Sequence, residues 1–289
     1  MVANNPFFIS EVSSNHAQDL NRCIDFINRS AAIGCDAVKF QLFKLDQLFA
    51  PEILAKSAEH RSRRSWELPV EFLPELSAAS HTAGIQFSCT PFYLEAVEEL
   101  LPYVDFYKIA SYELPWDALI EACAKTGKPL VLSTGMATLD EVIHARDVFV
   151  SAGGKNLTLL HCVSGYPVKP ADCNLAAIET IRDVTSCAVG WSDHSRDARV
   201  VNHAIDKWSA SMIEFHLDLD EQGAEYKTGH CWLPDEIAPV IAWQTVKAEA
   251  DGMGVKAPTK AEIDDRPWRA DPSDGLRPLR ELRATWQAK

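Results

Sequence analysis

The sequence predicts an α/β chain folded as a closed (β/α)8 TIM barrel, a single domain with a C-terminal extension. Three observations predict it. Eight short apolar or β-branched runs follow one another along the chain, stretches of helical period separate them, and polar residues collect at the C-terminal ends of the runs. Eight strands with crossover-length connections fit a closed parallel sheet. An open doubly wound sheet is the competing arrangement, but the turn after the first run lacks a GxGxxG phosphate loop.

The first run covers 7–13 (FFISEVS), and a helical stretch over 20–33 leads to the second at 35–43 (CDAVKFQLF). The third, at 85–90, follows a helical stretch carrying Leu73, Leu76 and Ala79. The fourth, at 104–111 (VDFYKIAS), follows a helix over 93–100. The fifth (129–135, PLVLSTG) and sixth (157–164, LTLLHCVS) flank a helix over 139–152. The seventh, at 187–192, leads into DHS after a helix over 175–181, and the eighth, at 212–219 (MIEFHLDL), follows a helix over 198–208.

Two segments break this rhythm. The long connection between Gln41 and Leu73 contains HRSRRSWELP and is expected to form a short helix plus a loop over the barrel mouth. A last helix starts near Asp235 and closes a barrel domain of residues 1–251. Residues 252–289 are rich in Pro, Arg and Asp, too short for a core of their own, and expected to pack on the barrel as an extended segment.

Charge narrows the function classes. Asp and Glu number 41 against 28 Lys and Arg, a formal net charge of −13, which argues against wrapping nucleic acid or coating an anionic membrane. It leaves room for an anionic small substrate in a locally positive pocket. No apolar stretch approaches the length of a membrane helix, and the start shows no secretory pattern, so the expected location is the cytoplasm. The eight cysteines contain no CxxC pair and several sit inside strand-like runs, as expected of reduced, mostly buried thiols.

In a barrel the strand ends meet around one pocket, however distant in sequence. Those ends carry Glu11, Asn15, His16, Lys39, Gln41, Thr90, Lys108, Ser111 and Glu113. Continuing round, they carry Ser133, Thr134, His161, Ser164, Tyr166, Ser192, Asp193, His194, Glu214 and His216. Few of these are needed for packing. Lys39 and Lys108 lie in otherwise apolar runs, where an ammonium group needs an anionic partner. A salt bridge to Glu11 or Glu113 is one reading; a substrate carboxylate or phosphate is the favoured one, with Gln41, Thr90, Ser111 and Ser192 adding neutral hydrogen bonds. His194 follows the seventh run and His216 sits in the neighbouring eighth, so they either share a divalent cation such as Mn2+ or serve as ordinary buried histidines. His161 reads as an orienting residue. His60, His81, His144, His203 and His230 read as surface or helix residues. No GxSxG turn or activated cysteine supports nucleophilic catalysis. The HRSRR stretch is by default a solvated face, or alternatively a lid contacting a phosphorylated substrate.

The words SEVSSNHAQDL, DAVKFQLF, FSCTPF, YKIASYEL, GKPLVLSTGMATLDEV, LLHCVSGYP, VGWSDHS and IEFHLDLD, in this order, resemble the N-acetylneuraminate (sialic acid) synthase family, which includes legionaminate and pseudaminate synthases. The likeness runs from Phe7 to about Pro234. It implies a condensation of phosphoenolpyruvate, as co-substrate, with an N-acylated amino-sugar aldehyde, using Mn2+ or another divalent cation. The aldehyde is ManNAc-like, with its 6-phosphorylation left open. By motif, Lys39, Gln41, Thr90, Lys108, Ser111, Ser164, Tyr166 and Ser192 resemble the phosphoenolpyruvate pocket, and His194 and His216 the metal ligands. Glu11 and Glu113 resemble the acidic residues that position aldehyde and water, and Asn15 falls within the first of the matching words as a further substrate-binding candidate.

The chain also departs from the family. Where Gly-Pro-Asp-His-Lys is common, it has Gly223, Ala224, Glu225, Tyr226 and Lys227, so Glu225 takes the place of a catalytic Asp one methylene shorter. Ser164 stands where some members carry Asn. Many members continue into a C-terminal antifreeze-like domain that lends an arginine to the partner's sugar site; this sequence ends at Lys289. Arg266, Arg269, Arg277 and Arg280, or Arg63 and Arg64, are candidates to replace it, and a homodimer or a separate partner supplying the domain are both compatible with the resemblance. An aldolase or lyase on a related sugar keto-acid, and a non-catalytic sugar-binding barrel, are the alternative functions.

Overall fold

The computed structural model describes residues 5–287. Its strands are β1 (Phe7–Glu11), β2 (Ala37–Leu42), β3 (Gln86–Pro91), β4 (Phe106–Ile109), β5 (Leu130–Ser133), β6 (Leu157–Cys162), β7 (Ala188–Asp193) and β8 (Met212–His216). Each pairs in parallel with the next, and β8 pairs with β1, closing the predicted barrel. The strands stop up to three residues before several of the apolar runs do. Past Glu11, for example, Ser13 takes a positive φ of 49°, which turns the chain out of the sheet toward the mouth.

Helices cover the outside of the barrel, one after each strand. Leu20–Ala32 shows how the sequence specifies them: the Asp19 carboxylate accepts from the amides of Asn21 and Arg22 at its start, and Cys23, Phe26, Ile27 and Ser30 form its buried stripe. Leu139–Ser151 begins with a capping box of Thr138 and Glu141. The helix Asp117–Lys125 after β4 buries a short stripe of Leu119, Ile120, Cys123 and Ala124. The long connection after β2 holds three short helices, Leu45–Leu48, Pro51–Lys56 and Ala58–Ser62, where one was expected.

Strand alternation splits the barrel interior into two levels. Ile9, Ala37, Phe106, Val131 and Leu160 pack together at one level. Two residues further along the same strands stand Glu11, Lys39, Lys108, Ser133 and Cys162, all buried. A period of two keeps these residues facing inward, so one polar layer rests on an apolar floor. Outward-facing Phe8, Val38, Phe40, Phe87, Tyr107, Leu132, Trp191 and Phe215 belong to the larger core under the helices.

The chain divides into two compact units, residues 1–246 and 247–289. The second contains 3-10 turns Lys260–Glu262 and Arg266–Trp268 and the helix Arg280–Thr285, in place of a purely extended segment. Within it the Arg283 guanidinium binds the Asp274 carboxylate, and the Trp268 and Trp286 rings meet edge to face at 6.2 Å. Arg280 also lies 3.6 Å from Asp274. Among the described residues no helix is long and apolar enough to cross a membrane. All eight cysteines are free, and seven are buried.

Candidate active site

The polar layer gathers the two predicted lysines. Lys39 Nζ contacts Glu11 Oε2, lies 3.9 Å from Glu214 Oε1 and donates to Thr90 Oγ1 at 3.4 Å. Lys108 Nζ lies 3.4 Å from the same Glu214 oxygen. Glu11 is thus a lysine partner, as in the salt-bridge alternative to the favoured substrate anion, and the second partner is Glu214 rather than Glu113. Burial opposes both ammonium charges. On Lys39 the adjacent Glu11 and Glu214 outweigh it and raise the pKa. On Lys108 burial wins against the attraction of Glu214, with Lys39 adding repulsion, and the pKa falls.

Beside the lysines lies a group of hydroxyls. Ser133 Oγ and Ser164 Oγ are buried without a protein partner, as is Glu113 Oε2. Such orphans each cost about 1–3 kcal/mol unless a ligand or water satisfies them. Gly135 lets the end of β5 approach this group: its amide donates to Ser111 Oγ at 3.0 Å, and a Cβ there would sit 2.4 Å from Ser164 Oγ. Ser192 is buried at the end of β7, paired in register with Glu214.

Burial raises the Glu113 carboxyl from its ordinary 4.5 to about 7, although Lys108 pulls it down. The folded chain therefore binds this proton more tightly than the unfolded one does. The associated stability is complete below pH 4.5 and is lost as pH rises toward 7. Urea titrations across that window are expected to show a decline that Glu113→Gln flattens; equal slopes in both proteins would refute the assignment.

A second group sits where β7, β8 and the loop after β8 meet. Gln41 Nε2 donates to Glu11 Oε1 at 2.6 Å and lies 3.2 Å from Ser13 Oγ, which in turn donates to Glu225 Oε1 at 2.6 Å. Asn15 spends both ends of its amide on protein: Oδ1 accepts from the Glu225 amide at 2.9 Å and Nδ2 donates to the Leu217 carbonyl at 2.9 Å. It therefore holds the Glu225 loop. Glu225 Oε2 faces His216 Nδ1 at 3.1 Å. The His194 ring lies 5.2 Å from His216, centre to centre, and its Nδ1 donates to the Val163 carbonyl at 2.8 Å, which leaves Nε2 unprotonated in the neutral ring. Tyr166, 42% exposed, lays its ring against His194 at 4.2 Å.

His230 corrects the sequence reading. It is 3% exposed, its ring is 4.5 Å from that of His216, and it belongs to the site rather than the surface. It follows β8 in a loop with no period to reveal its direction; the adjoining Cys231 in GHC was the one available signal. Donor atoms of His216, Glu225, His230 and Cys231 lie within 4.8 Å of one another, a set whose chemistry fits a divalent cation. Other mouth residues are structural. Asp193 accepts from the Trp191 and Trp232 indoles at 3.0 Å each, and His161 Nε2 bonds the Cys173 carbonyl at 2.9 Å. His16 meets the Trp66 carbonyl at 3.2 Å, and burial pushes its pKa down to about 4. Arg63 stacks on Phe49 and Trp66, and Arg64 pairs with Asp46 at 2.9 Å, so both have local partners. A cavity of about 570 Å³ opens at the opposite end of the barrel, lined by Phe7 and by the floor residues Phe106 and Val131, and holds none of these groups.

The NeuB family model matches residues 26–256, from within the first helix to just past the helix that follows β8. The chain belongs to the NeuB family. Among relatives, this NeuB-family chain is 33% identical to the N,N'-diacetyllegionaminic acid synthase of Campylobacter jejuni over 269 residues, covering 88% of the chain and 80% of the relative. It is 34% identical to the synthase of the same name from Legionella pneumophila, covering 90% and 77%. A crystal structure of N-acetylneuraminic acid (sialic acid) synthetase from Leptospira borgpetersenii, in complex with citrate, superposes with a TM-score of 0.79 at 29% identity, covering 91% of this chain and 90% of that one. The resemblance carried by the sequence motifs is thereby borne out.

Proposed function

We propose that this NeuB-family chain condenses phosphoenolpyruvate with an N-acylated amino-sugar aldehyde, assisted by a divalent cation such as Mn2+, to give a sialic-acid-like 2-keto-3-deoxy sugar acid and phosphate. The reaction class is the family's: a phosphoenolpyruvate condensation that forms a keto-sugar acid from an amino sugar. The observation that carries the reading is the buried layer of Lys39 and Lys108 beside partnerless Ser133 and Ser164 hydroxyls. A packed barrel core has no use for such a layer, and an acid bearing phosphate and carboxylate oxygens satisfies it.

In this reading Lys39, Lys108 and the hydroxyls of Thr90, Ser111, Ser164 and Ser192 hold the phosphoenolpyruvate oxygens and fix its methylene carbon against the aldehyde. A divalent cation held by His216 with its neighbours would polarise the aldehyde oxygen. The carbon–carbon bond forms as the enol attacks, water adds at the resulting cationic C2, and collapse releases phosphate. Glu11, aligned by Gln41, accepts the proton of that water. Glu113, with its carboxyl pKa near 7, holds a proton for the new alkoxide. Glu225, fixed by Ser13 and Asn15, keeps its other carboxylate oxygen beside His216, where the cation would meet the aldehyde.

The test is phosphate release from phosphoenolpyruvate with Mn2+ across N-acylated hexosamines and their 6-phosphates. Sugar-dependent release that disappears in His216→Ala is expected. No release across the panel, with phosphoenolpyruvate binding confirmed by calorimetry, would sink the synthase reading.

A further inference from the structure

We propose that His230 is a third protein ligand of the divalent cation, completing with His216 and Glu225 a two-histidine, one-carboxylate set. The paired histidines of β7 and β8 do not supply this set by themselves. The inference rests on the proposed reaction for its purpose and on donor geometry for its existence.

The geometry begins with Thr228. Its hydroxyl donates to the Glu225 carbonyl at 2.5 Å, which commits its only proton. Its oxygen also lies 2.6 Å from His230 Nδ1, so it accepts the Nδ1–H there. The neutral imidazole then carries its lone pair on Nε2. That nitrogen faces Glu225 Oε2 at 3.6 Å, too long for a hydrogen bond and a poor contact between two electron-pair donors. A shared cation resolves it: two donors each about 2.1 Å from one ion, at octahedral to tetrahedral angles, lie about 3.0–3.5 Å apart.

The neighbours are arranged to the same end. Glu225 Oε1 is occupied by Ser13, which leaves Oε2 for the ion, 3.1 Å from His216 Nδ1. The His216 and His230 rings are fanned at 71° to one another rather than stacked, as donors converging on a point require. Hydrogen bonding the far nitrogen of an imidazole is the usual means of orienting a histidine ligand, and Thr228 supplies it here. Cys231 Sγ stands at the edge of the set, 3.8 Å from His230 Nε2. The competing explanation is an ion pair between a protonated His230 and Glu225, with no part in metal binding.

Direct metal binding separates the two. Mn2+ and Co2+ are titrated into the full chain without phosphoenolpyruvate or sugar, by calorimetry and by the Co2+ visible spectrum. His230→Ala is expected to weaken Co2+ more than about 100-fold and to alter the visible bands, and Thr228→Val to weaken it about 10- to 100-fold through the misaligned ring. Thr228 is exposed, so this second substitution tests the idea even if His230→Ala folds poorly. Unchanged affinity and spectrum in both variants would overturn the third ligand while leaving the proposed reaction intact. Conversely, His230-dependent metal binding with no sugar-dependent phosphate release would retire the reaction and keep the site. If the unaltered protein binds neither ion, the inference fails outright.

Discussion

Lys39→Met is expected to lower stability by about 3–5 kcal/mol, because it leaves the buried Glu11 carboxylate without its cation and removes one of the two lysines facing Glu214. Turnover is expected to fall by about 10²- to 10³-fold or more, the scale on which a single preorganised donor to a reacting oxyanion acts. The two effects have different origins and part company in a double substitution. Lys39→Met with Glu11→Gln removes both charges and is expected to recover most of the stability, since Lys108 still neutralises Glu214. It is expected to recover no activity, because the proposed reaction uses Lys39 as a phosphoenolpyruvate contact and Glu11 as the proton acceptor. Urea denaturation and phosphate release on the three proteins decide the matter; a single variant as stable as the parent would show that the pair does not hold the layer together.

Gly223→Ala is expected to be nearly as damaging although it adds one methyl group. A Cβ at this position would fall 2.4 Å from both Asn15 Oδ1 and Asp218 Oδ1. Neither neighbour has room to retreat: both are fully buried, Asn15 is bonded to Leu217 and Glu225, and Asp218 pairs with Arg22 at 3.0 Å. The strain therefore passes into the loop that carries Glu225 two residues later. A shift of order 1 Å there costs about 10²-fold in kcat. Steady-state kinetics are expected to show the fall in kcat with the phosphoenolpyruvate KM close to that of the parent, since the lysine layer lies on other strands. A loss confined to the phosphoenolpyruvate KM would contradict the separation of the two groups.

The barrel was legible because a parallel strand buried on both faces leaves a continuous apolar run, and each such run here is short and bounded. Lysines in two of those runs announced the polar layer. Glu214 was harder to weigh. It alternates inward with Met212 and His216 in MIEFHLDL, yet only closure of β8 onto β1 and β7 reveals that one of its oxygens serves both lysines. Asn15 sat in a matching motif and looked like a substrate contact, whereas the fold spends its amide on holding the loop of Glu225. His230 lay beyond the reach of periodicity. A loop has no period, so the direction of its side chain depends on Thr228, Gly229 and the return of the chain to pair Leu217 with Trp232.

The apolar floor of Ile9, Ala37, Phe106, Val131 and Leu160 has a consequence for traffic. It makes the well blind, with one way in and the same way out. Lys39 and Lys108 stand immediately above it, while Glu225 and His230 belong to the loop that follows β8 at the rim. A molecule seated on the lysines must arrive before anything fills the rim, and it cannot leave until the rim is cleared. In the proposed reaction, phosphoenolpyruvate seated on the lysines is then expected to add before the sugar, by the depth of the well and without a moving lid.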